Sequence, residues 1–249
     1  MVRLNKYIAQ CGVTSRRGAD ALIEEGRVTV DGVRAQKGQM VTGNEEILLD
    51  SRPIYVEERK VVLACYKERG VVTSSVSQAE GERNIIDEIS YKSRIFPIGR
   101  LDKDSEGLIL LTNDGELVNT LLKGEGGHEK EYEVITDKFL KDEDLKKIAA
   151  GGLKLIEDSE RLSRPCRITR TGDKSLKIIL TEGINRQIRR SLELFGYKVI
   201  KLKRIRFLFV TLGRMKPGEV RELDEEKISD LYQLAGLAAK RGEKNNGQD

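Results

Sequence analysis

The chain has 249 residues, 38% hydrophobic and 35% charged, with a formal net charge of +4, which is room for two unequal domains with buried cores under a well-solvated surface. A single histidine, His128, argues against zinc deaminases, histidine-based nucleases and Ser-His hydrolases, and scattered Cys11, Cys65 and Cys166 form neither a disulfide framework nor a zinc pair. No apolar run approaches the roughly 20 residues of a membrane span, and MVRLNKYIAQ lacks the apolar core of a signal peptide, so a cytoplasmic chain is expected whose chemistry leans on Asp, Glu, Lys, Arg or Tyr.

In chain order, Leu4, Tyr7, Ile8 and Cys11 recur at helical spacing, and Gly12 ends that short helix. Thr14 or Ser15 can cap a second helix with Ala19, Leu22 and Ile23 inside. RVTVDGVRA reads as strand, Asp-Gly turn and strand, and GNEEILLD as a turn and a further strand. Arg3, Lys6, Arg16, Arg17 and Arg27 fall off the apolar faces, where they suit phosphate contacts or simple solvation. Residues 1–55 are thus expected to form a small helix-helix-hairpin domain, followed by the polar stretch DSRPIYVEERK as a boundary.

A larger domain is expected over residues 61–236. VVLACYK, GLILLTNDG, KEYEVIT and SLKIIL read as strands, and VIKLKRIRFLFV as one long strand. NIIDEI, GELVNTLL capped by Asn113 or Asp114, Asp142 to Ala150 closed by Gly151-Gly152, INRQIRRSLELFG and LDEEKISDLYQL read as helices. The mixture lacks a regular βαβ rhythm, so the fold class is α+β with a mixed, largely antiparallel sheet flanked by helices. Residues 237–249 are expected to be a disordered tail. From Gly183 to Arg214 the cations Arg186, Arg189, Arg190, Lys198, Lys201, Lys203, Arg204, Arg206 and Arg214 face Glu193 alone, which predicts a footprint for nucleic acid. Along KLKRIRF, alternation predicts Lys201, Lys203, Ile205 and Phe207 on one face and Leu202, Arg204 and Arg206 on the other.

In GRLDKDSEGLILLTNDG, two glycines bracket a charged loop that stands on an aliphatic strand and presents Asp102 and Asp104. An aspartate in such a loop, taken alone, is a turn former or a cap. The segment resembles the central motif of the pseudouridine synthases, in the branch containing RsuA, RluB, RluE and RluF, and the other motifs follow in that family's order. YKERGVVTSS resembles the first motif, HEKEYEV the segment with the family's tyrosine, and LTEGINRQIRRSLELFGYKV the last motif with its arginine. RLNKYIAQCGVTSRRGADALIEEGRVTVDGV is similar to the S4-type RNA-binding domain. HEKEY and GINRQIRR look closest to the RluF type, which implies large-subunit ribosomal RNA as partner; small-subunit ribosomal RNA, transfer RNA or a noncatalytic role in ribosome assembly are the alternatives.

The resemblance implies isomerisation of a flipped-out uridine with no cofactor and no metal; nothing in the sequence suggests an oligomer, so a monomer is the default expectation. Asp102 matches the catalytic aspartate. Arg189 matches the arginine that pairs bidentately with it, because a carboxylate that must stay ionised in a dry cleft needs a counter-cation. Tyr132 matches the residue that stacks on the base and Leu180 its apolar opposite. Arg100 matches the residue that enters the space left by the base, and Lys130 a phosphate contact or buttress. Arg186 and Arg190 are assigned to RNA binding with Arg3, Lys6, Arg16, Arg17 and Arg27. Two positions depart from the family pattern: Glu68 stands where Lys-Pro-x-Gly has proline, and Ser191 where a methionine follows the last motif's arginines.

Overall fold

The computed structural model describes residues 1–56, 59–74, 81–89, 91–122, 127–156 and 159–237. The expected disordered tail, from residue 238 on, and Ser75 of the first motif lie outside them.

The chain opens with β1 (Val2–Arg3), α1 (Leu4–Gln10) and α2 (Arg16–Glu24). Leu4, Tyr7 and Ile8, at the predicted spacing, turn inward. Ser15 starts α2 by accepting the Gly18 N–H at 3.0 Å. β2 (Val28–Val30) and β3 (Val33–Arg34) form the expected hairpin, with Asp31 and Gly32 at φ of 49° and 77°, as this two-residue turn requires. β4 (Met40–Val41) pairs with β1, while β5 (Ile47–Leu49) and β6 (Arg52–Pro53) complete a four-stranded sheet. Leu4, Ile8, Ala19, Ile23, Val28 and Ile47 share a core that draws only on residues up to Val56.

The rest of the chain runs β7 (Val62–Lys67), α3 (Ile85–Glu88), β8 (Phe96–Ile98), β9 (Glu106–Thr112), α4 (Gly115–Leu122), β10 (Lys130–Thr136), α5 (Asp142–Ala150), β11 (Arg167–Gly172), β12 (Ser175–Leu180), α6 (Gln187–Glu193), β13 (Val199–Phe207), β14 (Val210–Thr211), β15 (Val220–Glu222) and α7 (Glu225–Leu234). Its sheet has the order β11-β12-β10-β13-β9-β7-β15, with β14 on β13 and β8 on β9. All pairings are antiparallel except β13 with β9. The fold is therefore α+β with a mixed, largely antiparallel sheet. Ile109 and Leu111 of β9 pack with Ile148 of α5 and Ile188 and Leu192 of α6. Leu108 and Leu110 point the other way, to Leu117 of α4 and Leu231 of α7. With a core on both sides, β9 is the rigid floor that its aliphatic run predicts.

The parallel contact depends on one glycine. Gly107 lies beside Arg204 of β13 and sits at φ +106°; a Cβ there would come within 2.3 Å of the Arg204 carbonyl oxygen.

Two readings of β13 change. The strand ends at Phe207, Leu208 adopts φ 54°, and β14 folds straight back, with Phe207 facing Val210. Upstream, Glu131 faces Arg206 while Tyr132 faces Arg204, so Ile205 is an extra residue, a bulge. The bulge interrupts the alternation and brings Arg206 to the glutamates of β10 along with Lys203. Lys203 pairs with Glu133 at 3.1 Å, Arg206 with Glu129 and Glu131 at 3.0 and 2.9 Å, and Lys201 with Glu106 at 3.0 Å. The expected nucleic-acid footprint on this strand is thus largely neutralised inside the sheet. The sequence reading also lacks β11, because that edge strand is almost wholly exposed and carries no apolar alternation.

Candidate active site

The loop 99–105 connects β8 to β9 and leaves the first strand at Gly99, with φ +81°. Its backbone is held from three sides. Thr73 Oγ donates to the Leu101 carbonyl at 3.0 Å and accepts the Leu101 N–H at 3.3 Å. The Gly70 N–H donates to the Lys103 carbonyl at 2.8 Å. From α6, Arg189 donates to the Asp104 carbonyl at 3.0 Å and to the Val199 carbonyl at 3.1 Å. Within the loop, the Ser105 N–H closes a turn on the Asp102 carbonyl at 3.0 Å.

The first-motif loop is itself pinned. Buried Lys67 donates to the Glu68 and Val71 carbonyls at 2.9 and 2.6 Å. Burial pushes its ammonium down to about 8, partly offset by the charge of Asp102. Glu68, in the place of the proline, takes an ion pair from Arg83 at 2.7 Å.

Asp102 opens onto a cleft of about 750 Å³, lined also by Arg100, Lys130, Tyr132, Leu180 and Arg186. These side chains come from the 99–105 loop, β10, the end of β12 and the turn before α6. Lys130 lies directly across from Leu180, and Tyr132 is two residues along the same face of β10. Tyr132 and Leu180 are buried, so an apolar slot stands beside a carboxylate whose side chain is 29% exposed.

The expected bidentate pair of Asp102 with Arg189 is absent. Arg189 does not line the cleft; its guanidinium is occupied by the two carbonyls beneath the loop. The guanidinium nearest to Asp102 belongs to Arg186, at 3.9 Å, and it also lies 3.7 Å from Asp104. The physical cause is the backbone of Arg186, at φ 54°, which turns its side chain toward the loop one turn ahead of Arg189. Arg186 therefore belongs with the cleft rather than with an outer RNA surface.

The remaining sites expected to bind RNA lie outside the cleft. Arg190 is bound to the Leu155 carbonyl and to Asn185. Arg27 forks onto Asp50, and Lys6 is 3.6 Å from Glu116. Arg3, Arg16 and Arg17 are exposed, with no carboxylate within ion-pair distance among the described residues.

Sequence reasoning missed Thr73, Glu182 and Gln187, which also line the cleft, as does Arg204, which it placed in the wider basic footprint. Buried Glu182 accepts from Gln187 at 2.6 Å, the Arg164 N–H at 2.7 Å and Arg161 at 3.1 Å, and so braces the turn that carries Arg186. A glutamate and a glutamine five apart around a glycine were the available signal.

Comparison with known proteins adds the following. The RNA pseudouridylate synthase family model matches residues 61–194, and the S4 domain model residues 2–47. The dual-specificity RNA pseudouridine synthase RluF of Salmonella typhi is 42% identical over 235 residues, covering 93% of this chain and 79% of that protein. The ribosomal large subunit pseudouridine synthase B of Bacillus subtilis is 38% identical over 241 residues, covering 94% and 97%. A crystal structure of a pseudouridylate synthase, 24% identical, superposes with a TM-score of 0.67 over 93% of this chain and all of that one, a likeness of fold.

Proposed function

Because this chain belongs to the RNA pseudouridylate synthase family, and is thus an isomerase that converts uridine to pseudouridine in RNA, we propose that its target is a uridine of large-subunit ribosomal RNA and that Asp102 is the catalytic carboxylate. The name of the Bacillus subtilis relative supports the choice of RNA. The observation that carries the site is the convergence of Asp102, Tyr132, Leu180 and Arg186 on one cleft.

The reaction breaks N1–C1′, turns the base and joins C5 to C1′. A carboxylate can serve it by adding to C6, by displacing the base at C1′ or by taking the 2′ proton, and each route needs an ionised oxygen free to reach the nucleoside. Asp102 lines the cleft that would hold the nucleoside, with the Arg186 guanidinium 3.9 Å away. Tyr132 stacks on the flipped base, a contact worth roughly 1–3 kcal/mol, and Leu180 faces its other side. Arg100, exposed at the rim, fills the gap left in the RNA. Arg189 is a positioning residue that fixes the loop. Residues 1–55 serve as the S4-type RNA-binding unit, residues 61–236 as the catalytic unit, and the chain works as a cytoplasmic monomer.

The test uses ribosomal RNA made without modification. Wild-type protein should convert one mapped uridine of the large-subunit RNA, and Asp102→Asn should convert none while binding RNA within a few fold of wild type. Turnover by Asp102→Asn would remove Asp102 from its role. A mapped site in small-subunit or transfer RNA would overturn the choice of substrate but not the chemistry.

A further inference from the structure

Among the cations of β13, Arg204 stands apart. Lys201, Lys203 and Arg206 each have a carboxylate partner; Arg204, 2% exposed, has none within 4.0 Å among the described residues. Its Nε donates to the Leu108 carbonyl at 2.6 Å, and one terminal nitrogen is buried with no partner. A guanidinium buried this deeply, with no carboxylate beside it, carries a desolvation cost that the protein alone does not offset.

Lys130 repeats the pattern. Its Nζ donates only to the His128 carbonyl, at 3.2 Å, and has no carboxylate within 4.0 Å among the described residues. Burial and the charge of Arg204 push it down to about 8. Glu182, the acid that opposes this shift, is already occupied by Arg161, Gln187 and the Arg164 N–H. Lys130 and Arg204 lie over the same ring, that of Phe207, at 5.8 and 5.6 Å, and all three line the cleft with Asp102.

We propose that Lys130 and Arg204 form an anion subsite in the cleft floor that receives a negatively charged oxygen of the target nucleotide. The proposal rests on the reading of this cleft as the uridine site. Two cations without counter-ions are tolerated when a ligand supplies the missing charge. RNA offers two sources. One is the phosphodiester beside the flipped nucleotide. The other is the base itself: in the displacement route a carboxylate lone pair closes on C1′ while the N1–C1′ pair leaves with the uracil, which then carries the negative charge on its ring and carbonyl oxygens. When C5 bonds to C1′ the carboxylate leaves and the charge returns to it, and C5 then gives up its proton while N1 takes one up.

The experiment takes the full chain and an RNA fragment containing the mapped uridine. Affinity and single-turnover rate are measured for wild type, Lys130→Met and Arg204→Met, on RNA with and without one neutral methylphosphonate linkage on either side of the target. If a phosphate fills the subsite, the variants lose affinity by about tenfold or more, and the neutral linkage weakens wild type but not the variants. If the uracil fills it, the single-turnover rate falls by a similar factor at unchanged affinity, and the linkage affects all proteins alike. Wild-type affinity and rate in a folded Lys130→Met protein overturn the proposal; its partly exposed position makes that variant the deciding one should Arg204→Met fail to fold. Loss of the underlying site reading has a separate signature, turnover by Asp102→Asn.

Discussion

Gly107→Ala is the sharpest test of how the fold carries the site. The residue holds φ +106°, and an added Cβ would meet the Arg204 carbonyl oxygen at 2.3 Å, its nitrogen at 2.7 Å and its carbonyl carbon at 3.0 Å. All three are backbone atoms of the adjacent strand, so no side chain can swing aside. Left-handed backbone costs an alanine about 1–2 kcal/mol. Forcing the strands apart adds roughly 1–3 kcal/mol. The sum, about 2–5 kcal/mol, is a large share of the 5–15 kcal/mol that typically holds a domain together. The parallel register of β13 on β9 consists of two pairs, Lys203–Glu106 and Arg204–Gly107, so the damage falls where the 99–105 loop enters its floor strand. Urea unfolding followed by circular dichroism should show the midpoint falling sharply, with pseudouridine formation lost before the fold. A variant whose unfolding free energy stays within about 1 kcal/mol of wild type, with normal turnover, would refute the close parallel contact.

Thr73→Val keeps the shape but removes both bonds to Leu101, stranding a buried N–H and carbonyl next to Asp102 at about 1–3 kcal/mol. Single-turnover kinetics should show a rate drop of about tenfold to a hundredfold at near-normal RNA affinity, since misplacement by about 1 Å is enough; loss of affinity with an intact rate would contradict this. Lys67 makes stability depend on pH. Its folded value of about 8 lies below the ordinary 10.5, so between the two the unfolded chain holds a proton that the folded one has released, and stability rises with pH. Cys11, Cys65 and Cys166, raised by burial, act in the opposite sense above pH 9. The quantity to read is therefore wild type minus Lys67→Met in urea unfolding, which should grow by about 2 kcal/mol from pH 7.5 to 9.5; a constant difference would show that the ammonium is not desolvated.

Local signals were legible in the sequence. Asp142–Ala150 and Ser175–Leu180 fall where periodicity puts them, Ser15 caps its helix, and Asp114 caps α4 through the Glu116 N–H at 2.8 Å. What alternation could not give is a bulge: one extra residue at Ile205 regroups the side chains on either side of it. The acids that neutralise β13 were nevertheless visible, since Glu129, Glu131 and Glu133 recur with period two in EKEYE, as cross-strand partners must. Arg189 and Arg186 could not be told apart, because the choice turns on a left-handed backbone at Arg186 that arginine seldom adopts.

That exchange of arginines bears on how the carboxylate works. A bidentate arginine would occupy both oxygens of Asp102, and the substrate would have to displace it. Here the loop is fixed through its main chain instead: Thr73 holds Leu101, the Gly70 N–H holds the Lys103 carbonyl, and Arg189 holds the Asp104 carbonyl. Rigidity thus comes from groups that never touch the carboxylate. The nearest guanidinium stays at 3.9 Å, outside hydrogen-bond range. On this reading the Asp102 carboxylate is oriented in advance by its loop, which is the preorganisation that a reaction at C1′ or C6 requires.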